Sequence, residues 1–210
     1  MYLPVHFRED DPARLHALIR TRPLGMLVTN GPAGLIANPI PFLLDETHGD
    51  HGTLVAHMAR ANPQWREADG VREALVVFQD TDSYVTPSWY ETKRETGKVV
   101  PTWNYATVHA WGPMRAIEDT GWLRDQVGRL TEGHEASREK PWAVSDAPEE
   151  FVAMQLRAIV GVEIAVARIE GKWKVSQNRP DADRAGVVDG LREQGDEASR
   201  HMADMVANRR

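Results

Sequence analysis

The 210-residue chain contains no cysteine. Disulfides, thiolate nucleophiles, cysteine-held iron–sulfur clusters and cysteine zinc sites are therefore excluded, and any redox chemistry has to come from a bound cofactor. No apolar run approaches the ~20 residues of a membrane-spanning helix. The opening MYLPVHFRED lacks the basic and apolar regions of a signal peptide, so the cytoplasm is the expected compartment. Positive charge is in the minority, with 25 Lys and Arg against 31 Asp and Glu and a net charge of −6. Such a balance argues against a broad attraction to nucleic acid and leaves room only for a local basic patch. No G-x-G-x-x-G follows a strand, and no P-loop, H-E-x-x-H or G-x-S-x-G occurs. A C₂H₂ pattern and a helix-turn-helix with a basic second helix are also missing. The pair His48 and His51 lies in a polar turn without third-ligand spacing, so solvent-facing histidines are expected and no metal site.

What remains is an ordinary globular composition, 41% hydrophobic and 27% charged, long enough for one large domain or a domain with a helical extension. Asp11-Pro12 followed by Leu15, Leu18 and Ile19 reads as a capped amphipathic helix ended by Pro23. Strands are expected at Leu24–Thr29, Leu35–Leu44, Thr53–Met58, Ala74–Gln79 and Tyr105–Ile117. Pro39 and Pro41 make the second an edge strand or a bulged one. The continuous apolar run at Ala74–Gln79 suits a central strand. Helices are expected after Asn62-Pro63, after Asp119 or Thr120, and from a near capping box at Asp146–Glu149. Gly161–Ile169 and Trp173–Gln177 read as a hairpin turning across Glu170-Gly171-Lys172. A helix opens at Pro180-Asp181, and one more amphipathic series follows Gly195. Six or seven short strands with late helices fit a closed or split β-barrel with helical decoration. They do not fit a doubly wound nucleotide fold, because strands and helices do not alternate.

Four clusters carry groups able to bind an anion. The stretch Lys93–His109, with Trp89-Tyr90 before it, sets polar groups a few residues from aromatic planes. That suits a phosphorylated planar cofactor, and equally a loop with interfacial aromatics. His57 and Arg60 stand at a strand end, where a guanidinium could grip phosphate bidentately. In Ser83–Lys93, Thr86, Ser88 and Thr92 offer hydroxyls and Lys93 a charge, although the segment also reads as a Ser/Thr/Pro turn. In Pro101–Tyr105, Asn104 could meet an imide edge and Trp103 could lie against a ring. Gly171–Arg179 packs Lys172, Lys174, Ser176, Gln177, Asn178 and Arg179 into nine residues. Lys174, Ser176 and Asn178 would share one face. In an acidic chain this is the strongest local signal, with a solvated hairpin end as the plainer reading.

In order along the chain, MYLPVHF, RPLGMLVTNGPAGLIANPIPFLL, HMARANPQW, ALVVFQDTDSYVTPSWYETK, KVVPTWNYATVHAWGPMR, LTEGHE and the run from Ala158 to Leu191 resemble the FMN-binding negative transcriptional regulators of the PaiB type. The resemblance extends to about Leu191 and excludes the tail beyond Gly195. It implies an α+β, mainly β fold, an antiparallel split β-barrel of the FMN-binding type with flanking helices, related to pyridoxamine-phosphate-oxidase-like flavoproteins. A domain over 1–191 with a helical tail over 192–210 follows from it. It further implies a homodimer with FMN at the subunit interface. Cofactor-binding residues carried over are His57, Arg60, Asn62, Ser88, Trp89, Lys93, Thr102, Trp103, Asn104, Lys174, Ser176, Gln177, Asn178 and Arg179. No residue is assigned a catalytic role. Two departures stand out: Ala37-Asn38-Pro39 occurs where a histidine is expected, and Asp80 where glycine is. A carboxylate at Asp80 could repel a phosphate, so either Asp80 faces away or the local pocket differs. Two functions are consistent with the resemblance: an FMN-binding regulator acting through a partner or a local basic surface, and a flavin-dependent oxidoreductase acting on a small molecule. Direct DNA binding has no support from charge, and heme or a deazaflavin is a third ligand the scaffold could take.

Overall fold

The computed structural model describes residues 1–32, 34–68 and 73–209. Among them are β1 (Arg8–Glu9), α1 (Pro12–Thr21), β2 (Leu24–Gly31), β3 (Gly34–Pro41), β4 (Leu43–Asp45), β5 (Thr53–Ala59), α2 (Gln64–Ala68) and β6 (Glu73–Val85). Then come α3 (Glu91–Thr96), β7 (Thr102–Ile117), α4 (Thr120–Glu135), α5 (Glu149–Arg157), β8 (Ile159–Ala165), β9 (Arg168–Lys174), α6 (Asp181–Gln194) and α7 (Glu197–Asn208). The strands follow the order β3-β2-β6-β7-β8-β5-β4, with β9 pairing β7 and β1. β1 pairs β9, β2 pairs β3 and β6, β5 pairs β4 and β8, and β7 pairs β8, all antiparallel. The path ends on β3 and on β4, so the sheet is split and not closed.

Local sequence explains much of this. The Asp11 carboxylate accepts the Ala13 N–H at 3.0 Å, and α1 buries Leu15, Leu18 and Ile19. β3 lies at a sheet end and pairs only β2 along the path, which is why Pro39 and Pro41, lacking N–H donors, are tolerated there. β6 runs between β2 and β7, as its apolar run predicts. The expected single strand Leu35–Leu44 is instead two. Phe42 is buried and donates its N–H to Pro23 O at 2.8 Å, and the chain passes there from pairing with β2 to pairing with β5. Asp119 caps α4 by accepting the Trp122 N–H at 2.7 Å. The box expected at Asp146–Glu149 is displaced: Asp146 accepts the Ala143 N–H of a short 3₁₀ turn, and α5 begins after Pro148 without a side-chain cap.

The hairpin expected across Glu170-Gly171-Lys172 is not formed. Those residues lie within β9, where Gly171 pairs Glu9 of β1, and β8 pairs β5 and β7 instead. The glycine marks a close approach and not a turn, since a Cβ at Gly171 would overlap the Leu15 side chain.

The chain divides into two compact units. The first, Met1–Leu18, Gln79–Val108 and Glu170–Arg210, centres on Val85, Tyr90, Val175, Val187, Leu191, Met202, Ala203 and Val206, so α6 and α7 share one apolar core. The second, Ile19–Phe78 and His109–Ile169, holds β2–β5, α4, α5 and β8. No helix of the described residues is long and apolar enough to cross a membrane.

In the first unit Glu9 is buried, accepts hydrogen bonds from Arg209, Arg14 and the Asp11 N–H, and thereby fastens the C-terminal segment to β1. Burial works to raise the Glu9 pKa, but the hydrogen bonds from Arg209 and Asp11 and the Arg209 charge hold it below its ordinary 4.5. A carboxylate with a lowered folded pKa contributes stability above its unfolded value and loses it as the pH falls through the folded one. Acid titration below about pH 4.5 should therefore loosen this unit. In Glu9→Gln that acid-dependent step should vanish and neutral-pH stability should drop by about 3 kcal/mol, the low end for breaking a buried pair, because Arg14 is half exposed. Urea denaturation of both proteins at pH 7 and pH 4 decides it; identical acid sensitivity would remove the role given to Glu9.

Candidate functional site

β7 and β9 are neighbours in the sheet, and their partnership builds a cationic corner of the first unit. Thr102 and Asn104 are two apart on β7 and so share a face. Asn104 is fully buried and exchanges hydrogen bonds with the buried Ser176, at 2.9 Å and 3.2 Å. Ser176 holds φ 62°, the left-handed region that a serine rarely adopts. The loop that carries it is fixed twice by Gln177, which donates to Trp173 O and accepts the Val175 N–H at 2.8 Å. Lys174 donates to Thr102 Oγ1 and to Trp103 O. Phe7, Thr102, Asn104, Lys174, Ser176, Asn178 and Arg179 enclose a cavity of about 50 Å³.

The electrostatics of this cradle are unusual. Lys172, Lys174 and Arg179 are close enough that burial first, then the charges of Lys172 and Arg179, push the Lys174 pKa down. Among the described residues none of the three cations has a carboxylate within ion-pair distance. Aromatic faces stand there instead: Lys172 lies 5.6 Å from the Tyr2 and 5.4 Å from the Tyr105 ring centre, Lys174 6.0 Å from Phe7, and Arg179 4.6 Å from Tyr90. A quadrupole attracts a cation without cancelling its charge. An anion entering the cradle would lower the energy of all three cations at once. A terminal phosphate matches that demand in charge, and its oxygens can accept from the Lys, Arg, Asn and Ser donors present. The residues therefore fit the anionic end of a flavin mononucleotide. At ~30 Å³ per water, the cavity has room for a small oxyanion and none for a tricyclic ring.

The structure separates residues that adjacency in sequence had grouped. Trp103 is one residue from Thr102 and Asn104, so the pleat turns it to the other face. There it is 53% exposed and meets Tyr84 edge-on at 5.9 Å. Lys93 donates to Ser88 Oγ at 3.1 Å, both exposed. The Thr86 hydroxyl accepts the Ser88 N–H and caps the 3₁₀ turn before α3, and the Thr92 hydroxyl donates to Asp183 of α6. Trp89 packs on α6 at Gly186 and Gly190. His57, Arg60 and Asn62 belong to the second unit and are held by protein groups. His57 Nδ1 meets Gln126 Oε1 at 2.7 Å. Arg60 donates to Arg157 O at 3.0 Å and pairs Glu118, and Asn62 accepts the Gln64 N–H at 3.0 Å. Asp80 contacts Thr81 N–H at 2.8 Å and His201 Nε2 at 2.9 Å. Phe7, the last residue of MYLPVHF, is a lining residue not among the expected cofactor-binding residues; the pairing of Arg8 with Lys172 brings it here.

A family model described as "Putative FMN-binding domain" matches residues 1–168. The chain belongs to this FMN-binding family, and FMN is its cofactor. It is 37% identical over 247 aligned positions to uncharacterized protein AN0679 of Emericella nidulans, covering 100% of this chain and 97% of that one. It is 28% identical to the protease synthase and sporulation protein PAI 2 of Bacillus subtilis, covering 100% of this chain and 98% of that one. The resemblance drawn from PTWNY, ARANPQW and KVSQNR is thus borne out. Among solved structures, an FAD- and heme-binding protein of Mycobacterium smegmatis superposes with TM-score 0.59 at 19% identity, covering 87% of this chain and 80% of that one. The flavocytochrome Anf3 of Azotobacter vinelandii gives TM-score 0.58 at 12% identity, covering 80% and 69%. At these identities the likeness carries the split-barrel fold alone.

Proposed function

We propose that this protein is an FMN-binding regulator that holds the cofactor's phosphate in the cradle of Lys174, Arg179, Asn104, Ser176 and Thr102. The observation that carries the reading is the trio of clustered cations with aromatic faces and no carboxylate partners among the described residues. Bound FMN supplies one- and two-electron redox chemistry. The chain's own residues supply charge and fixed donors. Lys174 and Arg179 neutralise the phosphate. The Gln177-braced loop keeps Ser176 and Asn178 in place. Asn104 and Ser176 orient each other and arrive with no reorganisation left to do.

The flavin ring extends outside the cavity, and a second copy of the chain covers it in a cytoplasmic homodimer. His57, Arg60 and Asn62 belong to the second unit and are not carried into this phosphate site. A regulatory role draws support from the name of the Bacillus subtilis relative. With a net charge of −6, the regulator works through a protein partner rather than by a field attracting DNA.

Absorbance titration with FMN, followed by NAD(P)H and then dithionite, tests this. One FMN per chain, bleached by dithionite and untouched by NAD(P)H, is the expected result. Bleaching by NAD(P)H at a turnover rate would establish the oxidoreductase reading instead. A Soret band on purification would make heme the ligand. Duplex binding that weakens steeply with salt would restore direct DNA contact.

A further inference from the structure

A second cavity lies wholly within the second unit and plays no part in the phosphate cradle. α4, α5, the turn at Val144–Asp146, β5 and β8 enclose about 250 Å³. Its walls are apolar: Val127, Trp142, Val144, Phe151, Leu156 and Ile159. No charged side chain lines it. Trp142 and Phe151 are 48% and 49% exposed, an unusual surface position for two large apolar rings so near each other in the chain.

An imidazole and the Gln155 amide interrupt the apolar lining. His57 borders the cavity, and its Nδ1 lies 2.7 Å from Gln126 Oε1. An amide oxygen only accepts, so Nδ1 carries the proton, and with that nitrogen protonated the uncharged form of the ring would offer Nε2 as an acceptor. Gln126 is 1% exposed, and its Nε2 has no partner among the described residues. A buried amide held at only one end is expensive, and here it spends its one hydrogen bond on fixing the His57 tautomer.

We propose that this cavity binds an uncharged aromatic molecule of one or two rings that donates a single N–H or O–H to His57 Nε2. The size follows from volume: an apolar cavity of ~150 Å³ already admits benzene, and this one is larger. The lack of charge follows from the lining, since an unpaired ion would lose its hydration there without compensation. The donor follows from the tautomer. The ring closes over Trp142 and Phe151 and takes their exposed faces out of water. This site stands independently of the flavin reading.

Indole and its donor-less isostere benzothiophene are the probes, titrated calorimetrically into the full chain. Indole should bind at one per chain, roughly tenfold tighter than benzothiophene. In His57→Ala that ratio should fall to about one while benzothiophene affinity holds. Ala147→Trp, which fills the cavity, should abolish both and leave FMN titration unchanged; Val144→Trp serves the same purpose if the first variant fails to fold. No binding at millimolar indole, equal affinities for the two probes, or binding that survives both filling variants would overturn the proposal. So would competition between FMN and indole, which would make the cavity the flavin's. Dissociation of a dimer by Phe151→Asp would make this face a subunit interface and also overturn it.

Discussion

Lys174→Ala should lose FMN affinity by roughly 10- to 100-fold, and Arg179→Ala by a similar factor, with the fold intact. A hydrogen bond to a charged group contributes about 1.5–3 kcal/mol, and every 1.4 kcal/mol is tenfold in affinity. Lys174 sits at the upper end of that range because its surroundings are partly desolvated and hold two more cations. Without an anion, those cations repel one another, and relief of that repulsion offsets the lost Lys174 hydrogen bonds and Arg179–Tyr90 contact, so the alanine variants should be no less stable than the parent in the absence of FMN. That sign separates a ligand role from a structural one: a lysine present for stability would destabilise the free protein when removed. Riboflavin, which has no phosphate, should bind parent and variants alike. FMN affinity unchanged in both variants, measured by quenching of flavin fluorescence, would place the phosphate elsewhere.

Gly186→Ala should unsettle the same unit, while Gly128→Ala should strengthen the other. Both glycines are inside helices, where alanine is intrinsically better by about 1 kcal/mol. At Gly128 nothing lies within 4 Å of the added Cβ, so the gain is realised and thermal stability rises. At Gly186 the Cβ would overlap the backbone carbonyl oxygen of Trp89. A backbone atom cannot rotate away, and forcing a methyl into a packed contact costs about 1–3 kcal/mol, occasionally more. The overlap outweighs the helical gain. The loop that must move is Thr86–Tyr90, whose Tyr90 is buried in the core shared by α6 and α7. Gly186→Ala should therefore lower the denaturation midpoint and increase proteolysis around Trp89. Equal stabilisation by both substitutions, read from urea midpoints, would mean that Trp89 is not pressed against α6 as described.

The elements most legible in sequence are those set by local chemistry. The Asp11-Pro12 start of α1, the Asp119 cap of α4, the Pro39 and Pro41 edge strand and the αL glycine at Gly195 between α6 and α7 depend on a few adjacent residues. The errors share a cause as well. Gly171 was legible as a turn because glycine usually is one, yet here it permits β9 to lie against Leu15. Asp146 looked like the cap of α5 and caps a shorter turn before it. In each case the deciding contact comes from a partner that local pattern does not name.

The candidate site divides in the same way. Composition alone determined that redox chemistry needs a cofactor, since there is no cysteine, and that an acidic chain with KWKVSQNR concentrates its anion-binding groups in one segment. Motif order was enough for the family. Only the tertiary structure decided which of those groups act together. Strand pairing sets Thr102 and Asn104 beside Lys174 and Ser176 and brings Phe7 from the N-terminus. The pleat sends Trp103, one residue away, to the opposite face. Spacing along a chain records which side chains could share a face. Which strand lies next to which is set by burial of the whole apolar surface, and no short segment contains that information.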